Sequence, residues 1–238
     1  MGFFGRKRAP SVPHPRKEPR FDGPLTLERL EQIFQDCVDF TKRPVSLGEG
    51  GACTLTLCYL SGMVKMERVS DYVLRPLAQD EALARCGTPR QAMDRMKDGA
   101  LYNLSAEERT RLDAAVFDLV NGCCLLLFPG ESSVLSLNVG TEEKRSISSP
   151  SNETVLKGSR DAFVEGLRTN TSIVRRHLKA PELRIREQVV GRQSVTSVDI
   201  LYIEGLTNPH LVEQVAAQLA DIDIDAVLDR KSVCRERV

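Results

Sequence analysis

The sequence CCLLLFPGESSVLSLNV, at residues 123–139, predicts a β-hairpin near the middle of the chain. Two apolar segments, residues 123–128 and 133–139, flank Pro129-Gly130-Glu131-Ser132, and Pro-Gly is a turn dipeptide. A second hairpin is predicted further along, where residues 183–190 and 195–203 flank a turn at Gly191. Antiparallel ribbons are therefore the β-component that we expect in this fold.

Amphipathic helical patterns alternate with these hairpins. Thr26 is a possible N-cap for a helix that starts the folded region, and Asn208-Pro209 is a cap followed by proline at the first helical position. Residues 105–120 are predicted to start as a helix with two acids in its first turn. A long helix capped by Ser159 is predicted to end at Pro181, with an apolar stripe of Phe163, Leu167, Thr171, Val174 and Leu178.

Two segments of the chain repeat one pattern at an offset of 143 residues, as from Tyr59 to Tyr202. Each is an apolar strand with a tyrosine, a glycine three residues later (Gly62 and Gly205), and then an amphipathic helix. We predict a duplication, so the fold class is α/β (mixed α+β), with two similar lobes of helices on a small sheet. The second lobe lacks a counterpart of the first hairpin before Val238, which suggests a truncated reading frame or an unrelated end sequence.

The predicted domain organisation has four parts. Residues 1–24 hold five prolines and six basic residues against two acids, which predicts a disordered tail. Residues 25–148 form the first lobe and residues 149–230 the incomplete second lobe, with a polar, Ser-rich segment between them. Residues 231–238 lose the apolar periodicity and are predicted to be a separate tail.

Composition excludes several functional classes. The 33 basic residues balance the 33 acidic residues, so no net field attracts nucleic acid or a membrane. The sequence has no tryptophan, and aromatics make up 5% of it, which argues against stacking platforms for bases. The longest apolar run has six residues, whereas a spanning helix needs roughly 20, so the given chain is expected to be soluble.

No group of residues predicts catalysis or a metal site. The seven cysteines form no Cys-x-x-Cys pair, and we interpret them as buried, reduced packing residues. Cys123 and Cys124 alternate across a strand in aliphatic surroundings, which raise the pKa of a thiol. The acidic sequence DIDID at 221–225 lacks the glycine and glutamate of a calcium loop. We therefore expect no enzyme activity, no cofactor and no metal.

Residues 150–229 resemble the A-subunit family of GerA-type spore germinant receptors. The resemblance departs from the family at Ser149 and Ala162, and it disappears after Asp229. The motifs that carry it are Pro150-x-x-Glu153, Lys157-Gly158-x-Arg160-x-x-Phe163-x-Glu165, Leu167-x-Thr169-Asn170, Arg175-Arg176, Leu183, Val190-Gly191, Tyr202-Ile203-x-Gly205-Leu206 and Asp225-x-Val227-Leu228.

This resemblance implies a non-enzymatic module of a receptor for nutrient-triggered spore germination. In such proteins this region precedes a membrane-embedded part, here missing, and works with B and C subunits at the inner membrane of dormant spores. The resemblance thus implies B and C partners, self-association of A subunits and a location on the cytoplasmic face. It assigns no nutrient to this domain, and the B subunit is the better candidate for amino-acid binding.

A group of polar residues after residue 150 is the candidate contact site for a ligand or another subunit. The alternative is a structural network that fixes the long helix against the second hairpin. A cleft between the lobes near residues 148–158 is where we expect a small ligand, and a purely structural assembly domain remains the alternative function. The candidate contacts are Glu153, Arg160, Glu165, Asn170, Arg175 and Arg176, and the expected structural residues are Gly158, Phe163, Gly191, Tyr202 and Gly205.

Overall fold

A computed structural model describes residues 20–47, 53–101, 106–140 and 163–225 of the chain. These residues form a mixed fold of α-helices and antiparallel sheets, which confirms the predicted fold class. The predicted boundary between the lobes lies outside the described residues. Residues 20–24, which the sequence assigns to the tail, contact a helix: the backbone N–H groups of Arg20 and Phe21 donate to Asp113.

The larger sheet has five antiparallel strands in the order β1-β2-β4-β5-β3. The predicted hairpin at residues 123–139 forms its β4 and β5, which are joined at the Pro-Gly turn. The strands are β1 (Phe40–Ser46), β2 (Thr54–Leu60), β3 (Ala106–Arg109), β4 (Cys123–Leu127) and β5 (Val134–Asn138).

Both faces of this sheet are buried at its central strands, which explains why β4 is apolar along its whole length. Leu57 and Leu126 are partners in the β2–β4 ladder and lie on one face, while Cys58 and Leu125 lie on the other. All four are fully buried. Successive strand residues point to opposite faces, so a continuous apolar run is what a sheet covered on both sides requires.

Helices cover the two faces of the sheet. One face packs against a layer built from residues 66–100, in which Val73 and Met96 lie within two π-helical turns, Ser70–Leu74 and Met96–Ala100. The other face packs against α1 and α6, through Leu30 and Leu119 among others. These helices are α1 (Leu27–Ile33), α2 (Met66–Val69), α3 (Arg75–Gln79), α4 (Glu81–Ala84), α5 (Pro89–Arg95) and α6 (Leu112–Val120).

The prediction that residues 105–120 start as a helix is wrong. The charged segment Ala106–Arg109 is strand β3, paired with β5, and helix α6 begins only at Leu112. The acids expected in a first helical turn instead lie on an edge strand. Tertiary contacts override local propensity here, because Glu108 accepts hydrogen bonds from Arg90 (2.6 Å), Lys97 (2.8 Å) and Ser133 (2.7 Å).

These three bonds, above all the one from Arg90, lower the pKa of Glu108 to about 2. A carboxyl group whose pKa is lowered by folding stabilises the protein above its unfolded pKa, and this contribution disappears as pH falls through the folded pKa. We therefore expect the difference in unfolding free energy between the wild type and Glu108→Gln to shrink between about pH 4.5 and pH 2.

Urea denaturation at a series of pH values measures that difference. Glu107→Gln is the matched control, because the neighbouring Glu107 side chain is more exposed and pairs only with Arg109 among the described contacts. A difference for Glu108→Gln that stays constant down to about pH 2 would contradict the proposed role of these bonds.

The predicted second hairpin forms a separate two-stranded sheet of β6 (Leu183–Val190) and β7 (Thr196–Ile203). Helices α7 (Leu167–His177) and α8 (Pro209–Ala220) pack against it. Arg168 of α7 pairs with Glu187, whereas Glu213 of α8 pairs with Arg186. Since Arg186 and Glu187 are neighbours on β6, the two helices cover opposite faces of the ribbon.

The internal repeat has a structural counterpart. The order α1-β1-β2 recurs as α7-β6-β7, and the pairs Phe40↔Leu60 and Leu183↔Ile203 occupy the same place in their hairpins. The two repeated glycines differ: Gly205 has a positive φ of 77°, whereas Gly62 is required by a close contact described below. The two copies of the repeat therefore share their strand register, whereas their glycines have different structural roles.

Candidate functional site

A buried ion pair joins two α/β units: the first is built on the five-stranded sheet (described residues within 20–140) and the second on the β6–β7 ribbon (residues 163–225). Arg175 of α7 is fully buried and donates two hydrogen bonds to Asp39, from Nη2 to Oδ1 (2.8 Å) and from Nε to Oδ2 (3.0 Å). Its Nη1 also donates to the carbonyl oxygen of Leu183 at 3.1 Å. These bidentate hydrogen bonds provide partners for a guanidinium group that has no access to water. The pair therefore fixes α7 against the segment before β1.

Backbone hydrogen bonds reinforce this junction. The N–H of Val38 donates to the carbonyl oxygen of Ile185 at 2.9 Å, and the N–H of Ile185 donates to the backbone carbonyl oxygen of Asp36 at 3.1 Å. Cys37 and Ile185 thus form an isolated parallel bridge along the outer edge of β6. The first unit therefore covers the edge of the second unit's ribbon at this point.

A glycine allows close packing beside the ion pair. A Cβ atom added to Gly62 would lie 2.7 Å from Cβ and 3.1 Å from Cα of Ser172. Real Cβ atoms do not approach each other this closely, so α7 can lie against the chain after β2 only because residue 62 has no side chain.

A cavity of about 440 Å³ opens at this junction. Its volume falls within the range of small-ligand sites. The described lining has no cysteine and no histidine, and it offers hydroxyl groups, two arginines and a carboxylate. The first unit contributes Asp39, Ser61 and Gly62, and the second contributes Arg168, Thr169, Thr171, Ser172 and Arg176.

Arg168, one of the two arginines in the lining, forms ion pairs with two acidic residues of the β6–β7 ribbon. Arg168 forms ion pairs with Glu187 and, at 3.3 Å, with Asp199 of β7. The Asp199 side chain is fully buried, and its Oδ1 accepts no hydrogen bond in the part of the chain that the structure describes. Burial raises the pKa of Asp199, although Arg168 acts in the opposite direction.

The candidate contact residues have different environments. Arg176 lines the cavity and Arg175 lies in the buried ion pair. Asn170 accepts a hydrogen bond from the backbone N–H of Val164 (2.8 Å) and donates one to its carbonyl oxygen (2.7 Å), which holds the segment before α7. Glu165 is exposed in that segment. Glu153 and Arg160 lie outside the described residues, as does the cleft predicted near residues 148–158.

The expected structural residues also differ in their surroundings. Gly191, with a φ of 89°, forms the β6–β7 turn, and Gly205 follows β7. Tyr202 lies on β7 opposite Arg184. Phe163 is 69% exposed, and Gly158 lies outside the described residues.

The predicted apolar stripe coincides with the buried face of α7 only at Thr171. The helix begins at Leu167, and Leu178, just beyond its end, is 41% exposed. The buried residues of α7 are Thr171, Ser172 and Arg175. The apolar periodicity did not predict the buried face because α7 packs against Asp39, which requires a cation, and against Gly62, beside which only a small side chain fits.

Sequence reasoning missed the first unit's share of the site. Asp39 and Ser61 belong to no motif in the sequence. Gly62 is part of the repeat, but its close contact with Ser172 has no signal in the sequence. These residues come together only when α7 docks on the end of β2.

Cys58, Cys123 and Cys124 have the unreactive environments that the sequence predicts, and Cys234 lies outside the described residues. Burial raises the pKa of Cys123 to about 11 and that of Cys58 to about 12. Cys124 is fully buried, and its pKa is raised for the same reason. Thiols with such values are almost entirely protonated near neutral pH, so they are poor nucleophiles.

Within the described ranges, no helix is long and apolar enough to span a bilayer.

Comparison with known proteins identifies relatives of the chain. Residues 28–236 match the family model described as "Bacillus/Clostridium GerA spore germination protein". An uncharacterized membrane protein of Bacillus subtilis, YfkQ, is 30% identical over 203 residues, which are 85% of this chain and 38% of the relative. Spore germination protein KA of the same organism is 29% identical over 191 residues, which are 80% of this chain and 34% of the relative. The chain thus spans little more than a third of these relatives.

A solved structure shares the fold. The crystal structure of the N-terminal domain of the A subunit of the Bacillus megaterium spore germinant receptor GerK3 matches with a TM-score of 0.66 and 23% identity. The match covers 83% of this chain and 70% of that domain. Because the family model covers most of the sequence, the chain belongs to the GerA spore germination protein family.

Proposed function

We propose that this chain is the sensing and assembly module of a germinant receptor A subunit and acts without catalysis in nutrient-triggered spore germination. The observation that carries the proposal is the cavity of about 440 Å³ whose walls come from both α/β units. A ligand in such a cavity contacts both units at once, so its binding free energy depends on their arrangement. The module can therefore convert ligand binding into a relative movement of the units.

The lining residues favour a small polar ligand that carries a carboxylate. Arg168 and Arg176 place two positive charges at the lining, which favour a ligand with a carboxylate. Arg168 already pairs with Glu187 and Asp199, and Arg176 is the residue that we expect to contact the ligand.

Hydroxyl groups of Ser61 and Thr169 add neutral donors and acceptors, whereas the charge of Asp39 at the lining is already paired with Arg175. Amino acids and other nutrients that combine a carboxylate with further polar groups match this chemistry.

Assembly with other subunits completes the proposal. Relatives of the chain are spore germination proteins and a membrane protein. The proposed partners are the B and C subunits of a receptor and further A subunits, at the cytoplasmic face of the inner spore membrane. The membrane-embedded part would receive the movement of the two units.

Thermal unfolding in the presence of single amino acids and sugars tests the sensing role. A ligand that binds only the folded state stabilises it by about 2.7 kcal/mol at one hundred times its dissociation constant. We expect the midpoint to rise with ligand concentration in the wild type, and Arg176→Gln to abolish the rise. Arg192→Gln is the matched control, because Arg192 is exposed in the β6–β7 turn and does not line the cavity.

An unchanged midpoint with every nutrient would reject the sensing role and leave the alternative of a structural assembly domain with no ligand of its own. A rise that survives Arg176→Gln and is lost in Arg192→Gln would place the ligand elsewhere. Turnover of any added nutrient would contradict the proposal that the module acts without catalysis.

A further inference from the structure

A second cavity, of about 610 Å³, opens between the start of α1 and the turn that joins β4 to β5. It shares no lining residue with the cavity at the junction of the two units, and we call it the turn groove. Apolar side chains from both segments form much of its wall, namely Leu25, Leu27, Leu127, Phe128 and Val134. The turn groove therefore offers an apolar surface that does not belong to the proposed nutrient site.

All of the charge in the described lining of the turn groove is negative. Glu28 lies at the start of α1 and Glu131 lies in the β4–β5 turn, and this lining holds no lysine, arginine or histidine. Neither acid forms an ion pair within the described ranges. An apolar wall beside two unpaired carboxylates fits a segment that combines apolar side chains with positive charge.

The N-terminal segment of the same chain has this composition. Residues 1–19 hold five basic residues against a single acid, Glu18. The dipeptide Phe3-Phe4 stands just before the basic cluster Arg6-Lys7-Arg8. Two large apolar side chains and three positive charges thus lie within six consecutive residues, as the turn groove requires.

The first described residues lie beside the turn groove. The N–H of Arg20 donates to Asp113 at 2.9 Å, which fixes the end of the N-terminal segment, and Gly23 already lines the groove. Phe4 precedes Arg20 by 16 residues, and each residue spans up to about 3.3–3.6 Å, so the segment is long enough to return to the groove. A tethered segment binds at a high effective concentration, so weak contacts suffice.

We propose that residues 3–8 dock in the turn groove of the same molecule, with the two phenylalanines on its apolar wall and the basic cluster opposite Glu28 and Glu131. Removal of the phenylalanine side chains from water supplies the attraction, and the opposite charges set the orientation. While the segment is docked, its basic residues are held away from anionic lipid headgroups, which attract the same charges.

Photo-crosslinking on the full chain tests the docking. With a photoreactive benzophenone amino acid at position 4, irradiation should join this position to residues 23–28 or 127–134 of the same molecule, as mapped by mass spectrometry. Glu28→Lys combined with Glu131→Lys should lower the yield at least about threefold, because attraction becomes repulsion. Changing the three residues of the basic cluster to Glu in that variant should restore the yield.

The matched control is Glu67→Lys combined with Glu107→Lys, which changes two exposed acids outside the turn groove and should leave the yield unchanged. A yield that survives the reversal at Glu28 and Glu131, or that falls equally in the control, overturns the proposal. Crosslinks that join two molecules would assign the segment to the groove of a second copy, against the proposal. Absence of groove crosslinks, together with binding of the full chain to phosphatidylserine vesicles, would assign the basic cluster to a membrane instead.

If the groove variants fail to fold, hydrogen exchange decides, because Phe3→Ser combined with Phe4→Ser leaves the groove itself unchanged. The amides of residues 130–133 should exchange at least about twofold faster in this variant than in the wild type, and equal rates reject the docking. None of these measurements involves a nutrient, so the sensing role is tested separately.

Discussion

Asp39→Ala is expected to lower the free energy of unfolding by about 3–5 kcal/mol, because it leaves the charge of Arg175 buried and without its partner. The Arg175 side chain is fully buried, and both of its hydrogen bonds to Asp39 would be lost. Urea denaturation of the full chain, followed by circular dichroism, measures the change.

The matched control for this prediction is Glu31→Ala. Glu31 also forms an ion pair with a basic residue, Lys42, but both side chains are exposed. Exposed pairs contribute about 0–1 kcal/mol, so the control should have a small effect. The double variant Asp39→Leu with Arg175→Met removes both charges and should be more stable than Asp39→Ala. A loss for Asp39→Ala no larger than that of Glu31→Ala would show that the pair does not hold the two units together.

Gly62→Ala is expected to lower the free energy of unfolding by about 1–3 kcal/mol, the usual cost of overpacking a close contact. The new methyl group would lie 2.7 Å from Cβ of Ser172, so α7 must move away from the end of β2. That movement disturbs the cavity walls that Ser61 and Ser172 form together. Urea denaturation measures the stability, and nutrient-dependent thermal unfolding measures the effect on the cavity.

A double variant identifies the contact that causes this loss. Ser172→Gly removes the atom that the new methyl group would meet, although a glycine inside a helix itself costs about 1 kcal/mol. We expect Gly62→Ala and Ser172→Gly together to cost less than the sum of the single variants, with a coupling energy of about 0.5–3 kcal/mol. Strict additivity would mean that Gly62 is required for another reason than its contact with α7.

Hairpins and caps could be predicted from the sequence because their signals are local. The Pro-Gly turn places β4 beside β5, and Asn208 accepts a hydrogen bond from the N–H of His210 at 3.0 Å, as its cap position predicts. Thr26 caps α1 in the same way. Each of these interactions joins residues close together in the chain, so a short stretch of sequence contains both partners.

The sheet edge and the buried face of α7 could not be predicted in this way. Ala106–Arg109 has a helical composition, and it forms a strand because Arg90, Lys97 and Ser133 meet Glu108 from other elements. The buried side of α7 is polar because Asp39, 136 residues away, needs the guanidinium group of Arg175. An apolar stripe on a helix indicates the buried face only when the surface that it packs against is also apolar.

The sequence by itself determined the mixed fold, both hairpins, the repeat and the unreactive character of Cys58, Cys123 and Cys124, since alternation, turns and composition act over a few residues. Only the tertiary structure decided which residues form the candidate site. Asp39, Gly62 and Ser172 become neighbours when α7 docks on the first unit, and the free energy of that contact depends on partners far apart in the chain. A pattern confined to one element contains no information about the charge or size of a distant partner.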